Sequence, residues 1–522
     1  MRPARRSAVL SRRDREGEAM RKVVFSLALA TAAALGASET RAQPARTAVT
    51  ASGPVVGKAQ GAVTAYLGIP FARPPIGDLR WAPPQPPAPW TAPREATHFG
   101  DACVQTLAPQ GRSVWTTEFM TQSKASEDCL FLNVWTAAHR GAQQPVLVFY
   151  HGGAFTEGAG DVAVYDGARN AAKGVIVVTV NYRLGALGFM AHPALTAEQG
   201  GASGNYALQD AIAALNWVKA NIAAFGGDPD KVTIAGQSAG ASMVTSLMDS
   251  PKAKGLFRAA IVVSGGGGAR PSLAQAEKAG LDLQAELKAS SLPELRKIPA
   301  ERFLGRRAGP ITDGRYLVAA PDAGSKVVLM RGATANDSGP NPEVRAADFR
   351  ASAGQRYAAK ADAFLKLYPA TDDAQAGRSS LREIQDRALL GIAGDTDARR
   401  AGGGVSKAYL YLFSHVLAGP TAAKVGAFHT SDLVFDFDNL ALAPNRAITP
   451  TDRKVAAIAS GYWVNFIKTG DPNGPGLPRW PAYGADRRIL DVSDDPKARP
   501  YVAGGSAALL QGGQAPPLPP RG

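Results

Sequence analysis

The sequence predicts an α/β protein built on a largely parallel sheet with helices on its faces. Two short segments rich in β-branched residues, PVLVFYHGG at 145–153 and GVIVVTVNY at 174–182, end in turn residues, as strands buried on both faces do. The segment KVTIA at 231–235 has the same composition and follows a helical segment. Strand, helix and strand in that order predict crossover connections and therefore parallel neighbours.

The helical segment between the second and third predicted strands is ALQDAIAALNWVKANIAAF at 207–225. Its apolar residues recur at helical spacing, which gives one apolar stripe: Leu208, Ile212, Leu215, Val218 and Ile222. GGDPD at 226–230 predicts a turn, and the proline-rich RWAPPQPPAPW at 80–90 predicts an interruption of regular structure. The Gly- and Pro-rich tail at 512–522 is expected to fray.

Composition excludes several classes of protein. The 522 residues are 45% hydrophobic and 20% charged, with no apolar run near 18 residues, so no membrane span is predicted. The net charge is +14, but residues 1–42 hold nine of the basic and four of the acidic residues, so the rest of the chain carries +9. Its basic residues are scattered singly, which does not favour nucleic-acid binding.

The N-terminus has the layout of an export signal. After an extension at 1–19, Arg21 and Lys22 precede an apolar stretch at 23–36, and small residues allow cleavage after Ala42. We therefore expect residues 1–42 to be an extension plus a secretory signal peptide. The mature protein is expected in the periplasm or outside the cell.

The chain has two cysteines, Cys103 and Cys129. In an exported protein an even, small number of cysteines favours one structural disulfide, which would stabilise the fold by about 3 to 4 kcal/mol. Two buried free thiols are the alternative. Neither cysteine has His or Cys neighbours at ligand spacing, so no metal site is predicted.

The segment KVTIAGQSAGAS at 231–242 places one serine, Ser238, among small residues between a predicted strand and a predicted helix. Strand, sharp turn and helix are the setting of a nucleophile elbow, where the serine takes a strained backbone conformation and its neighbours must be small. The helix N-terminus also offers N–H groups where an oxyanion would form. Ser238 is the candidate nucleophile, and an ordinary strand-to-helix turn is the alternative.

An activated serine also needs hydrogen-bond donors for the oxyanion. YHGGAF at 150–155 follows a predicted strand and precedes the elbow, as the oxyanion loop of an α/β-hydrolase does. An ordinary glycine turn is the alternative.

The general base should be a histidine. The six histidines are His98, His139, His151, His192, His415 and His429. The order serine, acid, histidine along an α/β-hydrolase chain leaves only the last two. His415 ends a predicted strand, which favours a packed or surface role, whereas His429 lies in the loop-like GAFHTSDL at 426–433.

The acid is less determined, because many Asp and Glu residues lie between Ser238 and His429. Asp337 lies just beyond the predicted strand in KVVLMRGATANDSG at 326–339, where catalytic residues collect in α/β sheets. A turn-capping aspartate is the alternative.

With these residues placed, the chain resembles the type-B carboxylesterase and lipase family of cholinesterase-like α/β-hydrolases. The resemblance covers nearly all of the chain after residue 42, through YLGIPFARPPIGDLRW, SEDCLFLNVW, HGGAF, NYRLGALGF, the segment from GNYALQD to GQSAG, and YWVNFIKTGDPNGPGLPRWPAY. It implies the α/β-hydrolase fold for residues 43–522: a mostly parallel central sheet, flanking helices, and helical insertions that form the pocket.

The resemblance also implies roles for individual residues. The catalytic residues would be Ser238, Asp337 and His429, and the oxyanion hole would be the N–H groups of Gly153, Ala154 and Ala239. Ser264 and Asp432 match a pair that supports the catalytic histidine in relatives, and Cys103 and Cys129 match the first disulfide of the family. Gln237 stands where the family usually has Glu, and Asp337 and Asp432 are aspartates where relatives have glutamates.

The expected activity is hydrolysis of a small-molecule carboxylic ester through an acyl-enzyme intermediate, with no cofactor and no metal. Two alternatives remain open at this point. The same triad could act on amides, carbamates or thioesters, and the same fold also serves non-catalytic binding proteins.

Overall fold

A sheet of 13 strands lies at the centre of the computed structural model, counted over the residues that the structure describes. Those residues are 47–318, 326–419, 421–443, 446–502 and 504–512. The predicted signal segment at 1–42 and nearly all of the predicted frayed tail lie outside these ranges.

The strands are numbered in chain order. They are β1 (Thr47–Thr50), β2 (Gly53–Gln60), β3 (Val63–Pro70), β4 (Arg94–Ala96), β5 (Ala102–Cys103), β6 (Ala125–Ser126), β7 (Phe131–Thr136), β8 (Gln144–Tyr150), β9 (Ile176–Val180), β10 (Gly227–Gln237), β11 (Ala259–Val263), β12 (Val327–Thr334), β13 (Val405–Phe413), β14 (Arg488–Val492) and β15 (Lys497–Pro500).

The α-helices are α1 (Ala168–Ala172), α2 (Gly185–Phe189), α3 (Pro193–Glu198), α4 (Tyr206–Asn221), α5 (Ala239–Met248), α6 (Leu273–Glu286), α7 (Leu292–Lys297), α8 (Ala346–Tyr357), α9 (Ala361–Leu367), α10 (Asp373–Ala401), α11 (Ala422–Val425), α12 (Leu433–Asp436), α13 (Pro450–Thr469) and α14 (Ser506–Gly512). Short 3₁₀ turns include Thr117–Phe119 and Ile222–Phe225.

The strand order of the large sheet is β1-β2-β3-β7-β9-β8-β10-β11-β12-β13-β14-β15, with β4 paired beside β2. From β9 to β14 every neighbouring pair is parallel. The strands at either end of the sheet pair antiparallel, apart from β4. The carboxyl ends of β8, β10, β11, β12 and β13 therefore lie together at one edge, where ligands bind in open α/β sheets.

The parallel strands are buried on both faces, which explains their continuous apolar composition. All five residues of β9 and of β11 are buried. Helices α5 and α13 pack against β8 and β10, and α10 packs against β12 and β13. The structure is thus the mostly parallel sheet flanked by helices that the sequence predicts.

The predicted elements around the elbow have the expected type. The predicted helix at 207–225 is α4 followed by a 3₁₀ turn, and the proline-rich segment has neither helix nor strand between 80 and 90. The predicted turn at 226–230 is in part wrong, because β10 already begins at Gly227, which pairs with Gln144. The register shifts before Val232, and Asp228 accepts a hydrogen bond from the Asp230 N–H at 2.9 Å, so a turn is built into the start of the strand.

Cys103 and Cys129 form the predicted disulfide, across a separation of 26 residues. The bond closes a loop that begins at β5 and ends just before β7. The loop has little regular structure of its own. It is held in place by the disulfide and by the contacts that the loop makes with neighbouring loops.

Candidate active site

Ser238 stands at the sharp turn between β10 and α5. Its φ of 57° and ψ of −118° are uncommon for a residue with a side chain, and such strain concentrates at functional sites. A Cβ on Gly240 would lie 2.0 Å from the Tyr150 carbonyl oxygen, and one on Gly236 would lie 2.3 Å from the Gly240 carbonyl oxygen. The small residues around Ser238 are therefore required by the close approach of strand, turn and helix.

The glycine-rich loop after β8 packs directly against this elbow. A Cβ on Gly152 would lie 2.5 Å from the Gln237 side-chain oxygen and 3.2 Å from the Ser238 Cβ. The next three residues, Gly153, Ala154 and Phe155, all have positive φ, at 106°, 53° and 58°. The loop is thus bent sharply beside the candidate nucleophile.

The backbone N–H of Ala239 is a hydrogen-bond donor directly beside Ser238. It is the first residue of α5, so its N–H has no carbonyl of a preceding helical turn to bind. The helix N-terminus adds partial positive charge there. An anion forming beside Ser238 would meet backbone N–H groups and a favourable helix dipole.

His429 and Asp337 lie together, although 92 residues separate them in the chain. The His429 Nδ1 is 2.8 Å from the Asp337 Oδ1, and each side chain is about one-quarter exposed, at 24% and 26%. With Nδ1 as the donor to a carboxylate, the lone pair of the neutral ring is on Nε2. That is the arrangement a general base needs.

Three neighbours keep the Asp337 carboxyl ionised. Burial by itself would raise the pKa of Asp337, but the charge of His429 and hydrogen bonds from His429, Ser264 and Thr334 outweigh it and lower that pKa. The Thr334 hydroxyl is 3.1 Å from the Asp337 Oδ1. Ser264, at the end of β11, has a φ of 53° and accepts a bond from the Thr334 N–H at 3.4 Å.

The second ring nitrogen of His429 faces the elbow. The Gln237 side-chain nitrogen lies 3.0 Å from the His429 Nε2, and 3.5 Å from the Thr430 hydroxyl. Gln237 immediately precedes Ser238, so this contact places the Nε2 side of the imidazole beside the elbow. Thr430, with a φ of 88°, also accepts a hydrogen bond from the Trp115 ring N–H at 3.1 Å.

Asp432 lies in full burial behind His429. The Tyr411 hydroxyl is 3.4 Å from its Oδ2, and its Oδ1 has no hydrogen-bond partner among the described residues. Burial first, and then the charge of Asp337, raise the pKa of Asp432 to about 7. Burial and the Asp432 charge likewise raise the pKa of Asp436, one helical turn further on.

His415, the other histidine that follows Ser238 in the chain, has a structural role. His415 is 4% exposed, and its two ring nitrogens bind Asp494 at 2.6 Å and Asp452 at 2.8 Å. His151, in the glycine loop, stacks on Tyr182, and burial lowers its pKa to about 4. Both histidines are thus held by structural contacts.

The structure brings together the elbow, the glycine loop, Asp337 and His429 at one edge of the sheet, with Ser264 and Asp432 behind them. Sequence reasoning did not identify Thr334 and Thr430. The one available signal was position, since Thr334 is the last residue of β12 and Thr430 follows the histidine. No sequence pattern indicates the bond between Trp115 and Thr430.

Within the described part of the chain, no group of three or more His, Cys, Asp or Glu side chains is arranged to hold a metal ion. No helix in those ranges is both long and apolar enough to cross a membrane.

Comparisons with known proteins agree with this architecture. The carboxylesterase family model matches residues 44–293 and 333–505. A fumonisin B1 esterase of Sphingopyxis macrogoltabida is 35% identical over 475 residues, which cover 84% of this chain and 85% of the relative. The para-nitrobenzyl esterase of Bacillus subtilis (strain 168) is 33% identical over 486 residues, which cover 85% of this chain and 96% of the relative.

The structural match leads to the same family. A solved PNB esterase superimposes with a TM-score of 0.73 at 30% identity and covers 89% of this chain and 99% of its own. Both the strand order and the sequence matches therefore lead to an α/β-hydrolase. The chain belongs to the carboxylesterase family, type B, and is a carboxylic-ester hydrolase.

Proposed function

We propose that this carboxylesterase works through a triad of Ser238, His429 and Asp337. The contact that carries the proposal is the 2.8 Å bond between the His429 Nδ1 and Asp337, because it turns the lone pair of the other ring nitrogen towards the elbow. The Gln237 contact at that nitrogen supports the same orientation. Asp337 orients the ring and stabilises its protonated form.

The first half of the reaction forms an acyl-enzyme. The Ser238 Oγ attacks the ester carbonyl carbon while the His429 Nε2 takes the hydroxyl proton. The carbonyl oxygen becomes an oxyanion and accepts hydrogen bonds from the N–H groups of Gly153, Ala154 and Ala239, which are worth about 3 to 4 kcal/mol each. The intermediate then collapses, and His429 gives the proton to the departing alcohol.

Water completes the cycle. His429 takes a proton from a water molecule, the hydroxide attacks the acyl carbonyl carbon, and the same N–H groups hold the second oxyanion. Ser238 leaves as the alkoxide, takes the proton back from His429, and the carboxylic acid departs. Every proton moves through His429, so the proposed mechanism requires no cofactor or metal.

The proposal extends to the processing of the chain. Residues 1–42 are removed as an extension and signal peptide, and residues 43–522 work as one hydrolase domain in the periplasm or outside the cell. The basic and apolar pattern of 20–42 supports this, as does the Cys103–Cys129 disulfide, which forms in oxidising compartments.

A serine variant tests the mechanism. Ser238→Ala should lower the rate of p-nitrophenyl acetate hydrolysis by roughly 10³-fold or more while the unfolding temperature stays within a few degrees, because only the nucleophile is removed. Ser242→Ala, one helical turn along α5, is the matched control and should keep its activity. Near-normal turnover in the Ser238→Ala protein would reject the assignment.

A further inference from the structure

The loop closed by the Cys103–Cys129 disulfide, residues 103–129, touches both halves of the proposed catalytic machinery. We call it the bridging loop. On one side it contacts the oxyanion segment, residues 152–161. On the other it contacts the base segment, residues 428–432, which carries His429.

Gln105 makes the tightest contact with the oxyanion segment. Its side-chain nitrogen donates to the Gly158 carbonyl at 2.9 Å, and its side-chain oxygen accepts from the Gly158 N–H at 2.8 Å. The same nitrogen also donates to the Cys103 carbonyl at 2.9 Å, and the residue is only 6% exposed. One amide thus fixes both backbone groups of Gly158 and links them to the disulfide.

Other residues of the bridging loop extend this contact along the oxyanion segment. The hydroxyl groups of Thr121 and Ser123 donate to the Asp161 Oδ2 at 2.8 and 2.7 Å. Arg112 forms an ion pair with Glu157. A Cβ on Gly153 would lie 2.2 Å from the Glu157 carbonyl oxygen, so the backbone that these contacts hold lies directly against the proposed oxyanion donor.

Trp115 makes the contact with the base segment. Its ring N–H donates to the Thr430 hydroxyl at 3.1 Å, and that hydroxyl lies 3.5 Å from the Gln237 side-chain nitrogen. The same Gln237 nitrogen lies 3.0 Å from the His429 Nε2. A chain of hydrogen-bonding groups therefore runs from the bridging loop to the imidazole.

Arg446 strengthens this side of the bridging loop. It donates to the buried Glu118 carboxylate at 3.0 Å and to the Val114 carbonyl at 3.1 Å. Its guanidinium also lies over the rings of Phe119 and Phe428, at 5.7 and 5.4 Å from their centroids. Phe428 is the residue before His429, so the ion pair and the ring contacts join the bridging loop to the base segment.

We propose that Gln105 and Trp115 are positioning residues of the esterase, and that the bridging loop sets the oxyanion donors and the base against each other. The inference rests on the proposed triad. Gln105 acts through Gly158 on the oxyanion segment, and Trp115 acts through Thr430 and Gln237 on His429. The disulfide holds the two ends of the bridging loop, so both contacts share one rigid support.

Gln105→Ala tests the oxyanion side. Displacement of the donors by a fraction of an ångström should lower kcat roughly 10- to 100-fold while KM stays within about twofold, because the donors bind the transition state more strongly than the substrate. Gln199→Ala is the matched control. Gln199 also donates to a backbone carbonyl, that of Trp81, but contacts neither segment, so its kcat should stay within about twofold.

Trp115→Phe tests the base side and keeps the aromatic ring. Loss of the N–H donor should lower kcat roughly 3- to 10-fold with little change in KM. One lost hydrogen bond changes the free energy that holds the base in place by an amount of this size. Trp90→Phe is the matched control, because Trp90 donates to the Pro54 carbonyl in β2 at 2.8 Å and should keep normal kcat. This variant tests the base side even where Gln105→Ala fails to fold.

The outcomes separate this inference from the proposed triad. If Ser238→Ala is inactive while folded Gln105→Ala and Trp115→Phe have the kcat of their controls, the positioning role is wrong and the triad stands. If kcat falls in both variants and not in the controls, the positioning role is supported. Turnover that survives in Ser238→Ala would overturn the triad, and the positioning role with it.

Discussion

Ser238 holds a backbone conformation that costs of the order of 1 to 3 kcal/mol for a residue with a side chain. The cost is offset by the packing around it, since Gly236, Gly240 and Gly152 allow three backbone segments to meet there without a clash. The Ser238 side chain is half-buried at the N-terminus of α5. This unfavourable backbone conformation occurs at the proposed nucleophile, and functional sites are where proteins most often depart from local conformational preferences.

The buried carboxyl of Asp432 should make the stability of the folded protein depend on pH. An aspartate in the unfolded chain has a pKa of about 3.9, and burial and Asp337 raise the Asp432 pKa to about 7 in the folded protein. Between these values the folded protein holds a proton that the unfolded chain has lost. The stabilisation that goes with that proton is complete at low pH and is lost as the pH rises through about 7.

Asp432→Asn, which cannot ionise, should therefore gain stability relative to the wild type as the pH rises. The difference in the free energy of unfolding should increase by about 1 kcal/mol or more between pH 5 and pH 8, because the wild type must then ionise a buried carboxyl. Urea unfolding at several pH values measures it, with the exposed Asp362→Asn as control. A difference that does not change with pH would show that Asp432 is not the group responsible.

Individual site residues differ in how far the sequence could predict them. Ser238 has a local signal, because small residues and a strand-to-helix change surround it. His429 and Asp337 follow from chain order and from position after a strand. The bond between Trp115 and Thr430 spans 315 residues, and nothing near either residue indicates it.

At the scale of elements, the site depends on how closely α5 and β8 approach. A Cβ on Gly240 would overlap the Tyr150 carbonyl oxygen at 2.0 Å, and rotation of a side chain cannot relieve contact with backbone. We expect Gly240→Ala to destabilise the protein by about 2 kcal/mol or more, because strand and helix must separate.

Gly391→Ala is the matched control for Gly240→Ala, and we expect it to raise the free energy of unfolding. Gly391 is exposed in the middle of α10, and a Cβ there meets no atom within 4 Å. Gly391→Ala should stabilise the protein by up to about 1 kcal/mol, because alanine is the better helix former. Thermal unfolding of both variants measures this, and equal effects would show that the close approach is unimportant.

The sequence predicts best the elements that have a clear apolar pattern, either a continuous apolar run or an apolar stripe at helical spacing. Strands β8, β9 and β12 and helices α4 and α5 lie where composition and periodicity place them. The start of β10 was missed because Gly, Asp and Pro at 226–230 are turn formers, and the pairing of Gly227 with Gln144 overrides that local preference. The antiparallel strands at the two ends of the sheet have partners that no local pattern identifies.

At the scale of the whole molecule, the parallel sheet explains why the site exists. Four loops that are distant in sequence follow β8, β10, β12 and β13, and the parallel direction of these strands brings all four to one edge. The order of the motifs along the chain predicts this gathering, because the α/β-hydrolase fold uses the same order. The distances and the contacts of the bridging loop depend on packing between elements and could not be predicted.

Labelling of the purified protein with an alkyl fluorophosphonate, followed by peptide mass mapping, is a direct test of the proposed triad. Such reagents phosphonylate a serine that a neighbouring base activates and an oxyanion hole assists. We expect one adduct, on the peptide that contains Ser238. Folded protein that takes up no label, or takes it up on another serine, would contradict the proposed triad.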